Sequence, residues 1–169
     1  MAKRDISTDE AISMLHANIA AIAGATTSLT DKQAAQSPVP GEWSVNEILA
    51  HPRCCADLWT AAIEIMLCED HPRIRAINPR HAIKSSPYPA MPFRQSFAAF
   101  QDQREQLLTT LESLGQAELD RSAEVYGAGA PLERTVAFYV QWLARHERSH
   151  LRELARVAEM ARTQGISQD

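Results

Sequence analysis

The sequence predicts an all-α protein folded as a four-helix bundle, and three observations support this. Apolar residues recur at three- and four-residue steps in four long segments, which is the periodicity of one helix face. Proline and glycine cluster in the connections between these segments. No segment shows a convincing strand pattern or a solenoid repeat. Four amphipathic helices bury their apolar faces against one another in a bundle, which we expect to be one domain over residues 1–169.

Composition and charge argue against some classes of binding partner. Hydrophobic residues make up 45% of the chain and charged residues 22%, which is ordinary for a soluble globular protein. The net charge of −4 argues against nucleic-acid binding, which favours a basic face. No run approaches the roughly 18 apolar residues that span a bilayer, and the N-terminus lacks the apolar segment of a signal peptide. We therefore expect a cytoplasmic protein that binds neither nucleic acid nor membrane.

Two capping boxes predict where the first two helices begin. Ser7 to Glu10 reads Ser-Thr-Asp-Glu, so the first helix is predicted from Thr8 to about Ser28. Ser44 to Glu47 is the second capping box, and it opens a helix that carries an apolar stripe. Its stripe consists of Val45, Ile48, Leu49, Leu58, Ala62, Ile65 and Met66.

His51 lies in the second helix on a face near Ile48, Cys55 and Leu58, and Pro52 follows it immediately. Proline in a helix interior removes one backbone hydrogen bond and costs about 3 kcal/mol. We therefore expect a kink in the helix at this position.

The second half of the chain contains a long connection and two more helices. Residues 69–92 are rich in proline and predict a long ordered loop, which suits the rim of a pocket. The third helix is predicted from near Phe93 to Gly115. The fourth is predicted from near Leu132 to about Arg162, and His146 and His150 interrupt its apolar stripe.

The three cysteines are Cys54, Cys55 and Cys68. Their count is odd, two of them are adjacent, and no CxxC spacing is present. We expect reduced thiols that pack as small apolar residues rather than a structural zinc site made of thiolates.

His146 and His150 lie four residues apart, which places both imidazoles on one helix face and provides half of a metal site. The segment also fits the H-E-x-x-H zinc-protease signature, with Glu147 as general base. The extended three-histidine version fails because Arg156 occupies the required position, and the region lacks strands that hold a peptide. The better interpretation takes the third ligand from the second helix, at His51. Three neutral imidazoles leave a position open for water or substrate, as in catalytic sites.

The residues Trp43-Ser44-Val45-Asn46-Glu47-Ile48-Leu49-Ala50-His51 resemble the W-[ST]-x-x-E-[IVL]-x-x-H segment of the DinB/YfiT-like superfamily. His146-x-x-x-His150 matches the second signature of that family, and the likeness covers nearly the whole chain. The resemblance implies an up-down-down-up bundle, commonly dimeric, that holds nickel, zinc or a similar divalent ion on His51, His146 and His150. It also implies a small-molecule substrate, since some members are transferases or isomerases that use a low-molecular-weight thiol.

The sequence departs from the family pattern at Pro52, where an ordinary helix former, often leucine, usually stands. Proline disfavours helical geometry in the residue before it, so Pro52 either re-aims His51 or relieves strain at a site distorted by coordination.

Three further residues are candidates for supporting roles. Asp57 is either a hydrogen-bond partner of a ligand imidazole or a solvated acid on the helix surface. Tyr139 is either a core aromatic residue or a hydroxyl that approaches the cavity. Glu147 projects about 100° away from His146, so an ion pair with Arg145 or Arg152 is a better interpretation than a general base.

The sequence thus favours a metal-dependent enzyme that acts on a small molecule by thiol transfer or hydrolysis. No residue is a strong candidate for the base, so a metal- or ligand-binding module without turnover is the alternative. The third possibility is a purely structural homodimer whose polar core holds no metal. Imidazole suits nickel, zinc, copper and iron, so the sequence does not select the metal.

Overall fold

The computed structural model describes residues 6–166, and four long helices form its framework. They are α1 (Thr8–Thr26), α3 (Val45–Cys68), α5 (Phe93–Glu112) and α7 (Val136–Ile166). Short elements lie between them: α2 (Asp31–Ala35), β1 (Arg73–Arg75), α4 (Pro79–Ser85), a 3-10 helix (Tyr88–Ala90), α6 (Gln116–Leu119), β2 (Ser122–Tyr126) and β3 (Leu132–Thr135). The predicted four-helix bundle is confirmed.

Both predicted capping boxes are present and fix the starts of α1 and α3. The Ser7 hydroxyl accepts a hydrogen bond from the Glu10 amide at 3.1 Å, and the Glu10 carboxylate accepts one from the Ser7 amide at 2.9 Å. Ser44 and Glu47 repeat this reciprocal pair at 3.2 and 2.8 Å. The free amides at each helix start are therefore satisfied from within four residues of sequence.

Helix α7 is the packing partner of both α1 and α3, and α5 contacts the same two helices from the other side. Helices α1 and α3 therefore lie at opposite corners of the bundle. The core between them consists of fully buried aliphatic side chains, among them Leu15, Ile22, Ile48, Leu49, Ile63, Met66, Leu111, Leu143 and Leu154. No helix within residues 6–166 combines the length and the hydropathy required to cross a membrane.

The prediction that no segment forms a strand is wrong. Strand β2 pairs in parallel with β1 and antiparallel with β3. Gly127 and Gly129, which have φ values of 92° and 102°, lie in the connection between β2 and β3, where glycine adopts positive φ without strain. These strands are three to five residues long and half exposed, with many charged side chains. An alternating apolar pattern, the usual sequence signal of a strand, has no room to develop over such lengths.

The fourth long helix begins later than the sequence predicts, because Leu132–Thr135 belongs to β3. The Thr135 hydroxyl accepts a hydrogen bond from the Phe138 amide at 3.0 Å, which satisfies a free amide at the start of α7. The strand therefore passes directly into the helix that carries His146 and His150.

The proline-rich segment 69–92 is ordered, as the sequence predicts, but it is not simply a loop, because it contains β1, α4 and the 3-10 helix. The Asn46 side chain near the start of α3 donates hydrogen bonds to the carbonyls of Pro89 and Met91 at 2.9 and 2.8 Å. These bonds attach the end of the segment to the helix that carries His51.

Helix α3 continues unbroken through Pro52. The proline ring is buried in the first half of the helix. Because proline has no amide hydrogen, the Ile48 carbonyl loses its usual helical partner there. The surrounding packing therefore tolerates one missing backbone hydrogen bond one residue after His51.

Candidate metal centre

Helices α3 and α7 bring the three predicted histidines together. The Nε2 atom of His146 lies 3.4 Å from Nε2 of His51 and 3.3 Å from Nε2 of His150. The ring centroids of His51 and His150 are 4.6 Å apart. Pro52 therefore leaves the His51 side chain directed at the pair on α7, and the three ring nitrogens converge on one region.

Hydrogen bonds between the imidazoles do not account for this convergence. Each ring nitrogen of a neutral imidazole has either one hydrogen or one lone pair. Nε2 of His146 therefore satisfies only one of its two close neighbours. The Nδ1 atoms of all three rings are buried, and no residue within 6–166 forms a hydrogen bond with any of them. A cation that accepts several lone pairs at once accounts for the close approach of the Nε2 atoms.

The spacing of these nitrogens fits a tetrahedral metal ion. Two nitrogens bound at about 2.0–2.1 Å to one tetrahedral ion lie about 3.3 Å apart. The observed separations of 3.4 and 3.3 Å agree with this value. Imidazole nitrogens are also the donors that zinc and its neighbouring transition metals prefer. The residues present therefore fit a divalent transition metal.

The protein environment keeps the imidazoles neutral. Burial lowers the pKa of His51 to about 4; electrostatic coupling to His150 and the charge of Arg80 lower it further, and the Glu153 carboxylate opposes them. Burial, together with the neighbouring His150 and His51, also lowers the pKa of His146 to about 4. Burial lowers the pKa of His150 as well. At neutral pH, the lone pairs of these imidazoles are available to a metal rather than to protons.

Cys55 is a potential donor that the sequence interpretation missed. All three cysteines are free, as predicted, and Cys55 is fully buried. Its Sγ atom lies 3.7 Å from Nε2 of His51, and donor atoms of His51, Cys55 and His146 all lie within 4.8 Å of one another. Burial raises the pKa of the Cys55 thiol. The available signal was its position four residues after His51, which places both side chains on one helix face.

Tryptophan rings form the apolar wall of the cluster. Trp142 stacks on His146 with a centroid distance of 4.9 Å and an interplanar angle of 13°. Trp59 meets Trp142 edge-on at 3.7 Å. Trp43 lies 5.9 Å from the His51 ring and is 43% exposed, so it marks the solvent side of the cluster. The wall restricts the His146 ring and excludes water from one side of it.

Glu147 has a structural role that excludes the general-base interpretation. Its carboxylate is only 1% exposed; it accepts a hydrogen bond from Asn18 on α1 at 2.8 Å and forms an ion pair with Arg104 on α5. The predicted pairing with Arg145 or Arg152 is wrong, because Glu147 points into the bundle rather than along its surface. Arg104 is equally buried, and its Nε and Nη1 atoms have no hydrogen-bond partner within 6–166.

Asp57 is half-buried and serves neither of its two predicted roles. It accepts hydrogen bonds from the Tyr88 hydroxyl and from the Gln103 side chain. The Arg53 guanidinium lies 3.9 Å from the centre of the Tyr88 ring and donates to Ser96 at 3.1 Å. This polar group therefore attaches the 3-10 helix and α5 to α3, and no imidazole takes part in it.

Tyr139 is buried, as a core aromatic would be. It lines a cavity of about 330 Å³ together with residues of α3 and β1, such as Leu58 and Ile74. None of the three histidines lines that cavity.

A larger cavity of about 1070 Å³ lies between α1 and α7, and His146 forms part of its wall with Met14 and Trp142. This cavity provides space for a small molecule beside the histidine cluster.

Comparisons with known proteins identify the family and the fold. A family model described as the DinB superfamily matches residues 14–154, a range that contains all three histidines and Cys55. The structure of YfiT from Bacillus subtilis, described as a probable metal-dependent hydrolase with an unusual four-helix bundle topology, superposes with a TM-score of 0.75. The two proteins are 20% identical, and the alignment covers 98% of this chain and 93% of YfiT, so the likeness shows a common fold. No curated protein sequence matches this chain.

Replacement of Glu147 tests its structural role. Glu147→Ala leaves the Arg104 charge buried without its counterion, so we expect the free energy of unfolding to fall by about 3–5 kcal/mol. Glu159→Ala, which removes an exposed carboxylate from the same helix, is the matched control and should change it by less than about 1 kcal/mol. Urea unfolding of both metal-free variants measures the difference. Equal stabilities would contradict the structural role.

The lowered pKa values of His51 and His146 predict how stability depends on pH. An unfolded histidine has a pKa of about 6.5, and the folded value is about 4 for each of these two. Between these values the unfolded chain binds protons that the folded chain does not bind. The metal-free protein should therefore lose stability as the pH falls from about 6.5 towards 4, with no further loss from these groups below that range.

Urea midpoints measured in a chelator at several pH values test this dependence. A variant with His51→Gln and His146→Gln removes both groups and should show a shallower loss than the parent protein over the same window. Parallel curves for the two proteins would show that these histidines are not protected from protonation.

Proposed function

Because this chain belongs to the DinB superfamily, we propose that it is a metal-dependent enzyme that acts on a small molecule at the cluster of His51, His146 and His150. One observation carries the proposal, which is the convergence of three Nε2 atoms from two facing helices at separations of 3.4 and 3.3 Å. Helix-borne ligands that meet in the interior of a bundle are a common way to build a metal site.

We propose the three imidazoles as the ligands of a divalent ion, with zinc favoured over nickel. The separations of about 3.3 Å suit the tetrahedral arrangement typical of zinc, whereas ligands at right angles with similar bond lengths lie about 3.0 Å apart. When bound, such an ion supplies a Lewis acid that polarises an oxygen or sulfur atom of the substrate.

The residues around the ligands have separable tasks. Trp142 holds the plane of the His146 ring and keeps water from its outer face. The buried pair of Glu147 and Arg104 fixes the turn of α7 between the two histidines, because a buried ion pair permits little rotation of the helix. The cavity beside His146 accommodates the substrate.

Hydrolysis is the reaction that the description of YfiT supports, and transfer of a low-molecular-weight thiol is the second reaction to test.

A non-catalytic metal- or ligand-binding module is the alternative, and one observation favours it. Glu147 and Asp57, two carboxylates near the histidines in sequence, are both engaged in structural contacts. Neither is therefore available as a general base.

We propose a homodimer for either function, and this proposal rests on the family resemblance alone.

Removal of the ligands tests the metal site. Protein purified without a polyhistidine tag should contain about one divalent ion per chain by elemental analysis. The triple variant of His51, His146 and His150 to alanine should lose the ion and keep its helical circular dichroism, because the imidazoles lie at the edge of the aliphatic core. Stoichiometric metal in the dialysed triple variant would refute the site.

Turnover distinguishes the enzyme from the binding module. We expect the metal-loaded protein to hydrolyse ester or amide probes, or to couple a small thiol to an electrophile. His146→Ala should reduce this rate at least about a hundredfold, since it removes the central ligand. The control is Tyr139→Phe, which alters a buried residue outside the cluster and should leave the rate unchanged. Stoichiometric metal without turnover would favour the binding module.

A further inference from the structure

We infer that Cys55 is a fourth protein ligand of this metal site, so that the donor set is three imidazole nitrogens and one cysteine sulfur. The inference rests on the proposed metal site, because Cys55 is a ligand only if the histidines bind a metal. It goes further by assigning a residue outside the histidine signature and by changing the charge and softness of the donor set.

The distances carry the inference. A nitrogen at about 2.0–2.1 Å and a sulfur at about 2.3 Å from one tetrahedral ion lie about 3.6 Å from each other. The measured distance from Nε2 of His51 to Sγ of Cys55 is 3.7 Å. The two nitrogen–nitrogen distances, 3.4 and 3.3 Å, also match the tetrahedral value. One tetrahedral centre therefore accounts for these three separations. The donor atoms of His51, Cys55 and His146 lie within 4.8 Å of one another, and His150 joins this group through its contact with His146.

The arrangement of the two helices supports the same assignment. His51 and Cys55 lie four residues apart on α3, and His146 and His150 lie four residues apart on α7. Each helix thus presents two donors, one turn apart, to the helix opposite. Metal sites in helical bundles are built from facing helices in this way.

The neighbouring Cys54 shows that burial alone does not put a cysteine in the cluster. Cys54 is buried as well, but its Sγ atom lies 4.0 Å from the Pro79 carbonyl of α4. Successive residues of a helix project about 100° apart, so only one of the two adjacent cysteines faces α7. Cys54 is therefore a matched internal control.

Thiolate ligation has two chemical consequences. Binding replaces the S–H bond of Cys55 with a sulfur–metal bond, and the proton passes to solvent. A thiolate also contributes one negative charge and a soft donor, which favours zinc over harder ions. The protein then fills the tetrahedral shell, so a substrate atom reaches the ion only as a fifth ligand, an expansion that catalytic zinc sites undergo in the transition state.

Cobalt(II) spectroscopy tests the inference directly, because the ion reports its own ligands. We expect one Co²⁺ per wild-type chain, with visible absorption typical of tetrahedral coordination and a near-ultraviolet band from thiolate-to-cobalt charge transfer. Cys55→Ser should lose the near-ultraviolet band and keep the visible absorption. Its affinity should fall at least about tenfold, since even partners outside the ligand shell cost about 10–100-fold when removed.

Two controls make the assignment specific. Cys54→Ser and Cys68→Ser, alone and combined, should keep the near-ultraviolet band and the wild-type affinity. The combined variant also assigns the band to Cys55 by elimination if Cys55→Ser does not fold. A band that disappears in either control variant and survives in Cys55→Ser would overturn the inference.

The outcomes separate this inference from the proposed function. Wild-type protein that binds one Co²⁺ with visible absorption and no thiolate band would refute Cys55 as a ligand, while the three-histidine site would stand. Wild-type protein that binds no Co²⁺ would refute both. A thiolate band without turnover on any substrate would support the inference and leave only the enzymatic proposal in question.

Discussion

The packing of α3 against α7 is the constraint on which the rest of the molecule depends. These two helices contact each other, and both bury aliphatic residues in the core. The same contact places His51 and Cys55 opposite His146 and His150. Because closely packed helices settle into a limited set of registers, a slip of either helix would separate the imidazoles. The core thus determines the geometry of the candidate site as well as the stability of the fold.

The turn of α7 from His146 to His150 has two functions. Its histidines face α3, and Glu147 between them points the other way, to Arg104 and Asn18. The buried carboxylate links α7 to both α5 and α1, on the side of the helix away from α3. A buried ion pair contributes little net stability, because desolvation offsets most of the Coulomb attraction, but it strongly disfavours other registers. The ion pair of Glu147 and Arg104 on one side of α7 therefore complements the apolar packing of α7 against α3 on the other side.

The cluster is poised to bind a cation, and the reason is local. Nε2 of His146 lies within hydrogen-bonding distance of Nε2 of His51 and of His150, and its single hydrogen or lone pair satisfies only one of them. Burial lowers the pKa of each ring, so protonation does not relieve the crowding near neutral pH. The Trp142 and Trp59 rings also limit rotation of His146 away from the others. A divalent ion supplies what the protein lacks at this point, which is a single acceptor of several lone pairs.

The sequence by itself determined the helical framework and the histidine set. The helix starts at Ser7 and Ser44 depend on contacts within four residues, so local patterns were sufficient to predict them. The pairing of His146 with His150 follows from the helical repeat. The sequence did not reveal the three short strands, because pairing between distant segments stabilises them.

Tertiary structure alone decided which side chains meet. The partner of Glu147 is Arg104, 43 residues earlier in the chain, and the partners of Asp57 lie 31 and 46 residues later. The helical repeat places Cys55 rather than Cys54 on the face of His51, but only the packing of α3 on α7 brings that face to His146 and His150. Local periodicity predicts which face of a helix a residue occupies. Which residue of another helix it contacts depends on how the helices pack. For that physical reason, the proximity of Cys55 to the histidines of both helices became evident only in the folded chain.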